Sequence, residues 1–197
     1  MYFLQGIDMD KIIQHIFAES ITVKQATLQK NLPQIAAAAQ AVIDAFKSGR
    51  KLFFCGNGGS AADSQHIAAE FVGRFQKERP AWPAIALTTD TSALTALGND
   101  YTFDIVFSRQ LQALGQTGDV LMAISTSGNS KNVLEAVKTA KAMGITTIGV
   151  TGGAGGQLAG LCDIAIIAAS PKTARIQESH LVIFHAICEI VENTLAP

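Results

Sequence analysis

Charged residues are scarce in this chain. Only 16% of its 197 residues are Asp, Glu, Lys or Arg, and the formal net charge is −1 with histidine counted as neutral. No cluster of Lys or Arg stands out, so the charge pattern gives no reason to expect a nucleic-acid partner. Because 48% of the residues are hydrophobic, a disordered chain is excluded as well.

Long apolar runs and paired cysteines are also missing. The run Ile164–Ala169 is among the longest, and it is far too short to cross a bilayer. The first eight residues lack the basic and apolar regions of a signal peptide, and whether the natural chain begins there or at Met9 stays open. Cys55, Cys162 and Cys188 form neither a disulfide framework nor a CxxC pair. We therefore expect a reduced, cytoplasmic protein without a membrane partner.

The first 48 residues are predicted to form a helical arm. Apolar residues recur there at steps of three and four, which is typical of amphipathic helices. The sequence Asn31-Leu-Pro33 predicts a break, so that one helix, a turn and a second helix follow one another. We interpret residues 1–48 as an oligomerisation arm and residues 49–197 as one structural unit.

The rest of the chain alternates short apolar strands with helices. The predicted strands are Lys51–Cys55, Ala84–Thr88, Val120–Ile124, Thr146–Val150 and Ile164–Ala168. The predicted helices are Ser60–Phe75, Thr91–Leu97, Phe103–Leu114, Ser130–Met143, Gly156–Leu161 and Thr173–Leu195. This alternation predicts an α/β fold with a parallel sheet, helices on both faces and ligands beyond the carboxyl ends of the strands.

Two loops between a predicted strand and a predicted helix carry the strongest functional signal. The first is Cys55–Ala62, rich in glycine, and the second is Ser125–Ser130, rich in serine. Glycine lets the backbone approach a ligand, and free N–H groups at a helix start favour an anion. Together the loops predict one phosphorylated ligand held from both sides. The spacing GxxxxGK[ST] is absent and no acidic residue ends the following strand, so no nucleotide cofactor is expected.

His66 and Glu70 lie four residues apart in the helix after the first loop. This spacing places both side chains on one face, about one turn apart. One interpretation is a metal-binding or acid/base pair beside the phosphate loop. The other is a surface pair that contributes a few tenths of a kcal/mol. The spacing alone does not decide between them, although the nearby loop favours a functional pair.

The last predicted helix carries Gln177, Glu178, His180 and His185. From Gln177 to His185 an ideal helix rises ~12 Å and turns by roughly 80°, so the two side chains do not easily meet at one atom. If both serve one site, the helix bends or a second chain supplies one of them. We favour the second chain, which requires an oligomer.

Two further polar or glycine-rich segments have plainer interpretations. Asn99 and Asp100 follow the second strand, and composition favours a turn that ends a helix. The segment Thr151–Gly156 is rich in glycine but has no serine, so we expect a flexible connection rather than a third phosphate site.

These segments resemble the sugar isomerase (SIS) domain family, and within it the bacterial phosphoheptose isomerases. The matching segments are Cys55–Arg74, Arg79–Ala86, Gly98–Asp100, Phe107–Arg109, Gly118–Leu121, Ile124–Ser130 and Arg175–Glu178. The resemblance implies a flavodoxin-like five-stranded parallel sheet and a homotetramer with active sites between subunits. It also implies aldose–ketose isomerisation of sedoheptulose 7-phosphate to glycero-manno-heptose 7-phosphate, a step toward the heptose of lipopolysaccharide.

The resemblance also assigns roles to residues. Glu70 corresponds to the catalytic base and His185 to the catalytic acid. The implied substrate-binding residues are Asn57, Gly58, Gly59, Ser60, Glu70, Asn99, Asp100, Ser125, Thr126, Ser127, Ser130 and Gln177. The implied ligands of one zinc ion per subunit are His66, Glu70, Gln177 and His185. Glu70 stands in all three sets, and whether it is a tight ligand or a free base stays open.

Two alternatives within the family remain. One branch keeps the fold and loops but acts by binding the DnaA replication initiator, and residues 192–197 and Gly56–Ala62 are similar to it. That branch is expected to lack counterparts of Glu70 and His185, which this chain has. A family member acting on an amino-sugar phosphate would share the serine loop but not the implied zinc ligands. The resemblance therefore favours the isomerase.

Overall fold

The computed structural model describes residues 8–196, so residues 1–7 of the predicted arm, the question of the natural start and residue 197 lie outside it. The strands are β1 (Leu52–Cys55), β2 (Ala84–Ala86), β3 (Val120–Ile124), β4 (Thr146–Gly152) and β5 (Ile164–Ala168). The α-helices are α1 (Met9–Lys47), α2 (Gly59–Val72), α3 (Thr91–Asp100), α4 (Val106–Leu114), α5 (Lys131–Ala142), α6 (Gly156–Leu161) and α7 (Thr173–Leu195). A short 3₁₀ helix, Phe103–Ile105, precedes α4. Each element predicted after the arm is present, with bounds that differ by three residues or fewer.

All five strands are parallel, in the order β2-β1-β3-β4-β5, which confirms the predicted flavodoxin-like sheet. Side chains alternate across it, so that Phe54 and Met122 enter one core and Phe53 and Leu121 the other. Helices α1, α2 and α7 cover the first core, and α4, α5 and α6 cover the second. Because both faces are covered, β1 and β3 are apolar and buried along their whole length.

The strand order places the two ligand loops together. From β1 the chain continues to β2 on one side of the sheet and then crosses to β3 on the other. The connections that leave neighbouring β1 and β3 therefore diverge at the carboxyl edge and open a crevice. The loops after β1 and β3, which are the two loops predicted to bind phosphate, flank that crevice.

The arm is one continuous helix, and the predicted break at Asn31-Leu-Pro33 is wrong. Pro33 lacks the N–H that would continue the helical ladder, at a cost of about 3 kcal/mol. Bonds to the edge strand β5 and to the residue after it offset this cost. The Asn31 side chain donates to the carbonyl of Ile167 (2.9 Å) and accepts from its N–H (2.8 Å), while Thr27 accepts from the N–H of Ala169 (3.0 Å). Tertiary hydrogen bonds thus hold α1 together across the proline.

The cysteines are free thiols, as their spacing indicated. Cys55, at the end of β1, and Cys188, on α7, are buried. Burial raises the pKa of the Cys55 thiol well above its ordinary value and that of Cys188 to about 12. Because the thiolate is the reactive form, both thiols are inert at neutral pH in the folded chain. Within residues 8–196, no helix has both the length and the apolar character needed to cross a membrane.

His180 joins α7 to the end of β4. Its ring is fully buried, and Nε2 lies 2.9 Å from the carbonyl oxygen of Thr151, to which it donates. Nδ1 has no hydrogen-bond partner among the described residues. Burial lowers the pKa of His180 to about 4, although the bond to Thr151 opposes the shift. The imidazole is therefore neutral at physiological pH.

We predict that this histidine makes the fold acid-sensitive. Since the pKa is about 4 in the folded chain and 6.5 when unperturbed, protons bind the unfolded state first. The stabilisation that neutral His180 gives the folded chain is complete above pH 6.5. It is lost as the pH falls toward about 4, by about 3 kcal/mol in total. Urea unfolding across this window should show His180→Gln with a flatter pH dependence, and His15→Gln, at an exposed position of α1, with the parent's dependence. An unchanged slope in His180→Gln would contradict the assignment.

Candidate active site

An amide pair joins the first ligand loop to the helix that follows the serine loop. Asn57, in the first loop, and Asn132, in the first turn of α5, donate to each other's side-chain oxygen at 2.8 and 2.9 Å. Asn132 is buried, and its oxygen also accepts from the N–H of Val133. The pair spans the crevice between the ends of β1 and β3 and fixes the separation of the loops. Sequence reasoning missed Asn132, for which the only available signal was a polar residue just inside the helix that follows the serine loop.

The serine loop gathers hydroxyl groups at the start of α5. The Oγ atom of Ser125 lies 2.9 Å from that of Ser130 and 3.4 Å from that of Ser127. Thr126 lies between Ser125 and Ser127 in the sequence and is half-buried. Ser130 is the N-cap residue of α5 but makes no side-chain cap bond. The N–H groups of Lys131 and Asn132 therefore remain available, whereas that of Val133 donates to the Asn132 side chain. Hydroxyls and free N–H groups at a helix start together suit a phosphate.

The glycine-rich segment 151–156 supports this loop from behind. Gly128 has a φ of +67°, and a Cβ atom built on it would lie 2.1 Å from the carbonyl oxygen of Gly155. The N–H of Leu158 donates to the carbonyl of Gly128 at 2.9 Å, and the N–H of Gln157 donates to the side chain of Asn129 at 3.1 Å. The segment was expected to be a flexible connection, but it is packed against the serine loop and shapes it.

The first loop leads into α2 beside Gln177. Gly58 has a φ of +56°, which favours glycine, and Ser60 is buried in the first turn of α2. A Cβ atom built on Gly59 would lie 2.3 Å from Nε2 of Gln177. Gly59 therefore leaves the space that the Gln177 side chain occupies, and this brings the start of α7 to the start of α2.

Further along the same two helices, three titratable side chains meet. Nε2 of His66 lies 3.0 Å from Oε1 of Glu70. The ring of His185 packs edge-on against that of His66, with 5.3 Å between centroids. The side chains of His66 and Glu70 are 43% and 23% exposed, so the cluster opens to solvent in the single chain. Glu70 and His185, predicted as base and acid, thus both contact His66.

These contacts show how one helix serves two parts of the site. Gln177 meets α2 at Gly59 and His185 meets it at His66, so the contacts advance together along both helices. The preference for a second chain rested on both side chains reaching one atom. Within one chain the two side chains contact different turns of α2, and the participation of a second chain in the site stays a prediction.

The His66–Glu70 pair has donor atoms and a separation that suit a zinc ion. The 3.0 Å between Nε2 of His66 and Oε1 of Glu70 is a usual separation of two ligands on one ion, because zinc lies about 2.0–2.2 Å from each. The neighbouring His185 is a further imidazole. In residues 8–196 no three His, Cys, Asp or Glu side chains are gathered closely enough for a metal site. Two of the four implied ligands are therefore at ligand spacing, and Gln177 lies nearer the start of α2.

Asp63 is a neighbour of the cluster that sequence reasoning missed. It lies one turn before His66 on α2, and its Oδ2 atom is buried without a hydrogen-bond partner among the described residues. Burial raises the pKa of Asp63, and the nearby His66 partly opposes this. The three-residue spacing from His66 was the available signal, because it places both side chains on one helical face.

Asn99 and Asp100 are the last residues of α3, which confirms the interpretation as a helix end. Both are exposed, and Asn99 donates to Oδ1 of Asp100 at 2.9 Å. Helix α3 packs against α4 and the 3₁₀ helix. None of the hydrogen bonds among residues 8–196 joins this pair to the serine loop or to Glu70, so its predicted contact with substrate stays a prediction.

Comparison with known proteins agrees with the geometry. Residues 16–152 match the family model described as SIS domain. A phosphoheptose isomerase of Campylobacter concisus is 58% identical over 162 residues, which are 82% of this chain and 86% of that protein. The structure of a phosphoheptose isomerase from Neisseria gonorrhoeae matches with a TM-score of 0.89 at 46% identity, over 94% of this chain and 99% of that one. A phosphoheptose isomerase from Francisella tularensis matches with a TM-score of 0.90 at 40% identity, over 95% and 100%.

Proposed function

Because the chain belongs to the SIS domain family, we propose that it is a phosphoheptose isomerase, which converts D-sedoheptulose 7-phosphate to D-glycero-D-manno-heptose 7-phosphate. The observation that carries this function is the cluster of Glu70, His66 and His185 in the same chain as a hydroxyl-lined phosphate loop. Binding of DnaA has no comparable support, since the similar proteins described above are all named phosphoheptose isomerases. The product would supply the heptose of lipopolysaccharide.

The phosphate group anchors the substrate. Ser125, Thr126, Ser127 and Ser130 hold it together with the first N–H groups of α5, and the loop Asn57–Ser60 closes the other side. This grip is remote from the reacting carbons. Its binding energy is therefore available to place the carbonyl end of the sugar against the catalytic side chains.

Glu70 and His185 then move protons. Glu70 takes a proton from C1 of the open-chain ketose, the C1–C2 enediol forms, and Glu70 returns the proton to C2. His185 gives a proton to the oxygen on C2 and takes one from the oxygen on C1, so a carbonyl is regenerated at C1 and no atom is gained or lost. A positioned acid or base of this kind contributes about 10²–10⁴ in rate.

We propose in addition one zinc ion per subunit. His66 and Glu70 are at ligand spacing, and His185 and Gln177 are the other ligands of the proposed set. When bound, the ion would act as a Lewis acid toward the substrate oxygens. A carboxylate that binds zinc tightly is a weak base, so the roles of Glu70 compete and are separated experimentally below.

We propose that the protein is a cytoplasmic homotetramer with active sites at its subunit interfaces. Helix α1 exposes large apolar side chains along much of its length, including Ile13, Phe17 and Leu28. A cavity of about 340 Å³ between α1 and α7 is lined by Leu32, Val182 and other mainly apolar residues. Burial of such a surface against other copies is favourable. The three free thiols suit a reducing compartment.

We predict that turnover depends on the acid and the base. Glu70→Gln and His185→Ala should each lower kcat by about 10²–10⁴, since each removes one proton-transfer group. The measurement is conversion of sedoheptulose 7-phosphate by the purified proteins. Glu189→Gln, which changes an exposed carboxylate on α7, is the matched control and should keep the parent rate. Full activity of either test variant would remove that residue from the mechanism, and an inactive parent supplied with zinc would refute the isomerase.

For the metal, we expect chelator-treated protein to bind one zinc ion per subunit in calorimetric titration. His66→Ala should abolish this binding, whereas His15→Gln, at an exposed position of α1, should not. Titration of Glu70→Gln separates its two roles. Retained zinc binding with lost turnover assigns Glu70 as the base, and lost binding assigns it as a ligand. A parent protein that takes up no zinc would disprove the metal site.

Light scattering should report four subunits for the parent protein. Phe17→Glu places a charge on the exposed apolar face of α1 and should lower the observed mass, because that charge would be buried between subunits. Gln112→Glu adds the same charge at an exposed position of α4 and should leave the mass unchanged. A monomeric parent would rule out the tetramer.

A further inference from the structure

A buried ion pair holds the segment that connects α2 to β2. Nε of Arg79, in this segment, lies 3.1 Å from Oε1 of Glu192, on α7, and the two side chains are 1% and 2% exposed. The Arg79 guanidinium also lies over the ring of Trp82, 3.7 Å from its centroid. Two charges leave water at considerable cost, which is offset only when their remaining hydrogen-bonding groups are satisfied. The other hydrogen bonds of Arg79 and Glu192 therefore show which parts of the chain this pair holds in place.

The remaining bonds of Glu192 go to the backbone of the connecting segment. Its carboxylate accepts from three consecutive N–H groups, those of Phe75 (3.1 Å), Gln76 (2.7 Å) and Lys77 (2.8 Å). Burial raises the pKa of Glu192, but the three backbone N–H groups and Arg79 together outweigh it, so the pKa lies below its usual value. The carboxylate thus fixes the path of the chain at Phe75.

The remaining bonds of Arg79 go mostly to the end of α2. Its guanidinium donates to the carbonyls of Glu70 (2.7 Å), Phe71 (2.8 Å) and Gly73 (3.2 Å). The last carbonyls of a helix have no partner within it, so Arg79 completes the final turn of α2. That turn carries Glu70, the proposed base.

Phe75 carries the effect to the other catalytic side chain. Its ring lies 5.4 Å from the ring of His185, centroid to centroid, at an angle of 33°. His185 thus contacts two rings, those of Phe75 and His66. His185 and Glu192 lie seven residues apart on α7, about two turns, so one helix presents the imidazole and also anchors the residue that packs against it.

We propose that Phe75, Arg79 and Glu192 are positioning residues of the isomerase: the ion pair fixes the turn of α2 that carries Glu70 and presses the Phe75 ring against His185. None of the three needs to touch substrate. The inference rests on the proposed function for its kinetic consequence, while the ring contact can be tested without turnover. An acid and a base that must act on adjacent atoms tolerate little displacement, and an error of about 1 Å costs up to a hundredfold in rate.

The test replaces the ring and follows His185 itself. Phe75→Leu removes the aromatic contact. Phe46→Leu is the matched control, because Phe46 belongs to the same core and packs against Phe71 and Trp82, but among residues 8–196 it has no ring contact with His185. In carbon–proton spectra of the histidine rings, compared at equal metal content, Phe75→Leu should move the His185 signal and Phe46→Leu should not. The signal is identified by its absence in His185→Ala.

The kinetic arm distinguishes positioning from general stability. Phe75→Leu should lower kcat by about ten- to a hundredfold with KM within about threefold, and Phe75→Tyr, which keeps the ring, should restore most of the rate. Phe75→Met is the second variant if leucine prevents folding. An unmoved His185 signal, or an equal loss of kcat in Phe46→Leu, would overturn the proposal. If the parent does not turn over sedoheptulose 7-phosphate, the proposed function fails, and the spectra alone still decide whether Phe75 holds His185.

Discussion

The reversal of strand order at β1 and β3 is the constraint on which the site depends. Neighbouring parallel strands end at the same edge, and where the chain leaves them in opposite directions no connection fills the space between. Here that space is flanked by the first loop and the serine loop. The Asn57–Asn132 pair then sets its width with two hydrogen bonds rather than with flexible contacts. The position of a phosphate bound at this edge is therefore set by the strand order of the sheet.

Helix α7 carries the proposed catalytic acid and packs beside α2, which carries the proposed base. Three of its residues contact successive parts of α2 and of the segment after it. Gln177 contacts the first turn of α2, His185 contacts the middle of α2, and Glu192 contacts the segment beyond its end. The face of α7 that packs on the sheet and on α1 is mainly apolar, with His180 and Arg175 as buried polar exceptions. The proposed catalytic side chains lie on two packed helices and are held more rigidly than side chains on loops, which suits a reaction that passes protons between neighbouring atoms.

What the sequence could and could not predict follows from the range of each interaction. The strands and the two ligand loops depend on local pattern, and they appear within a few residues of their predicted bounds. Pro33 follows a local rule that long-range bonds from Asn31 override. Asn132 and Glu192 were missed because their partners are 75 and more than 100 residues away. The roles of Glu70 and His185 came from family resemblance, since spacing alone left two interpretations of His66 and Glu70.

Cys188 gives this arrangement a built-in reporter. It lies on α7 between His185 and Glu192, is 1% exposed, and has a thiol whose pKa burial raises to about 12. An alkylating reagent can reach it only when α7 separates from the elements packed over it. The rate at which Cys188 is labelled therefore reports how often α7 opens away from the rest of the folded protein, with or without substrate.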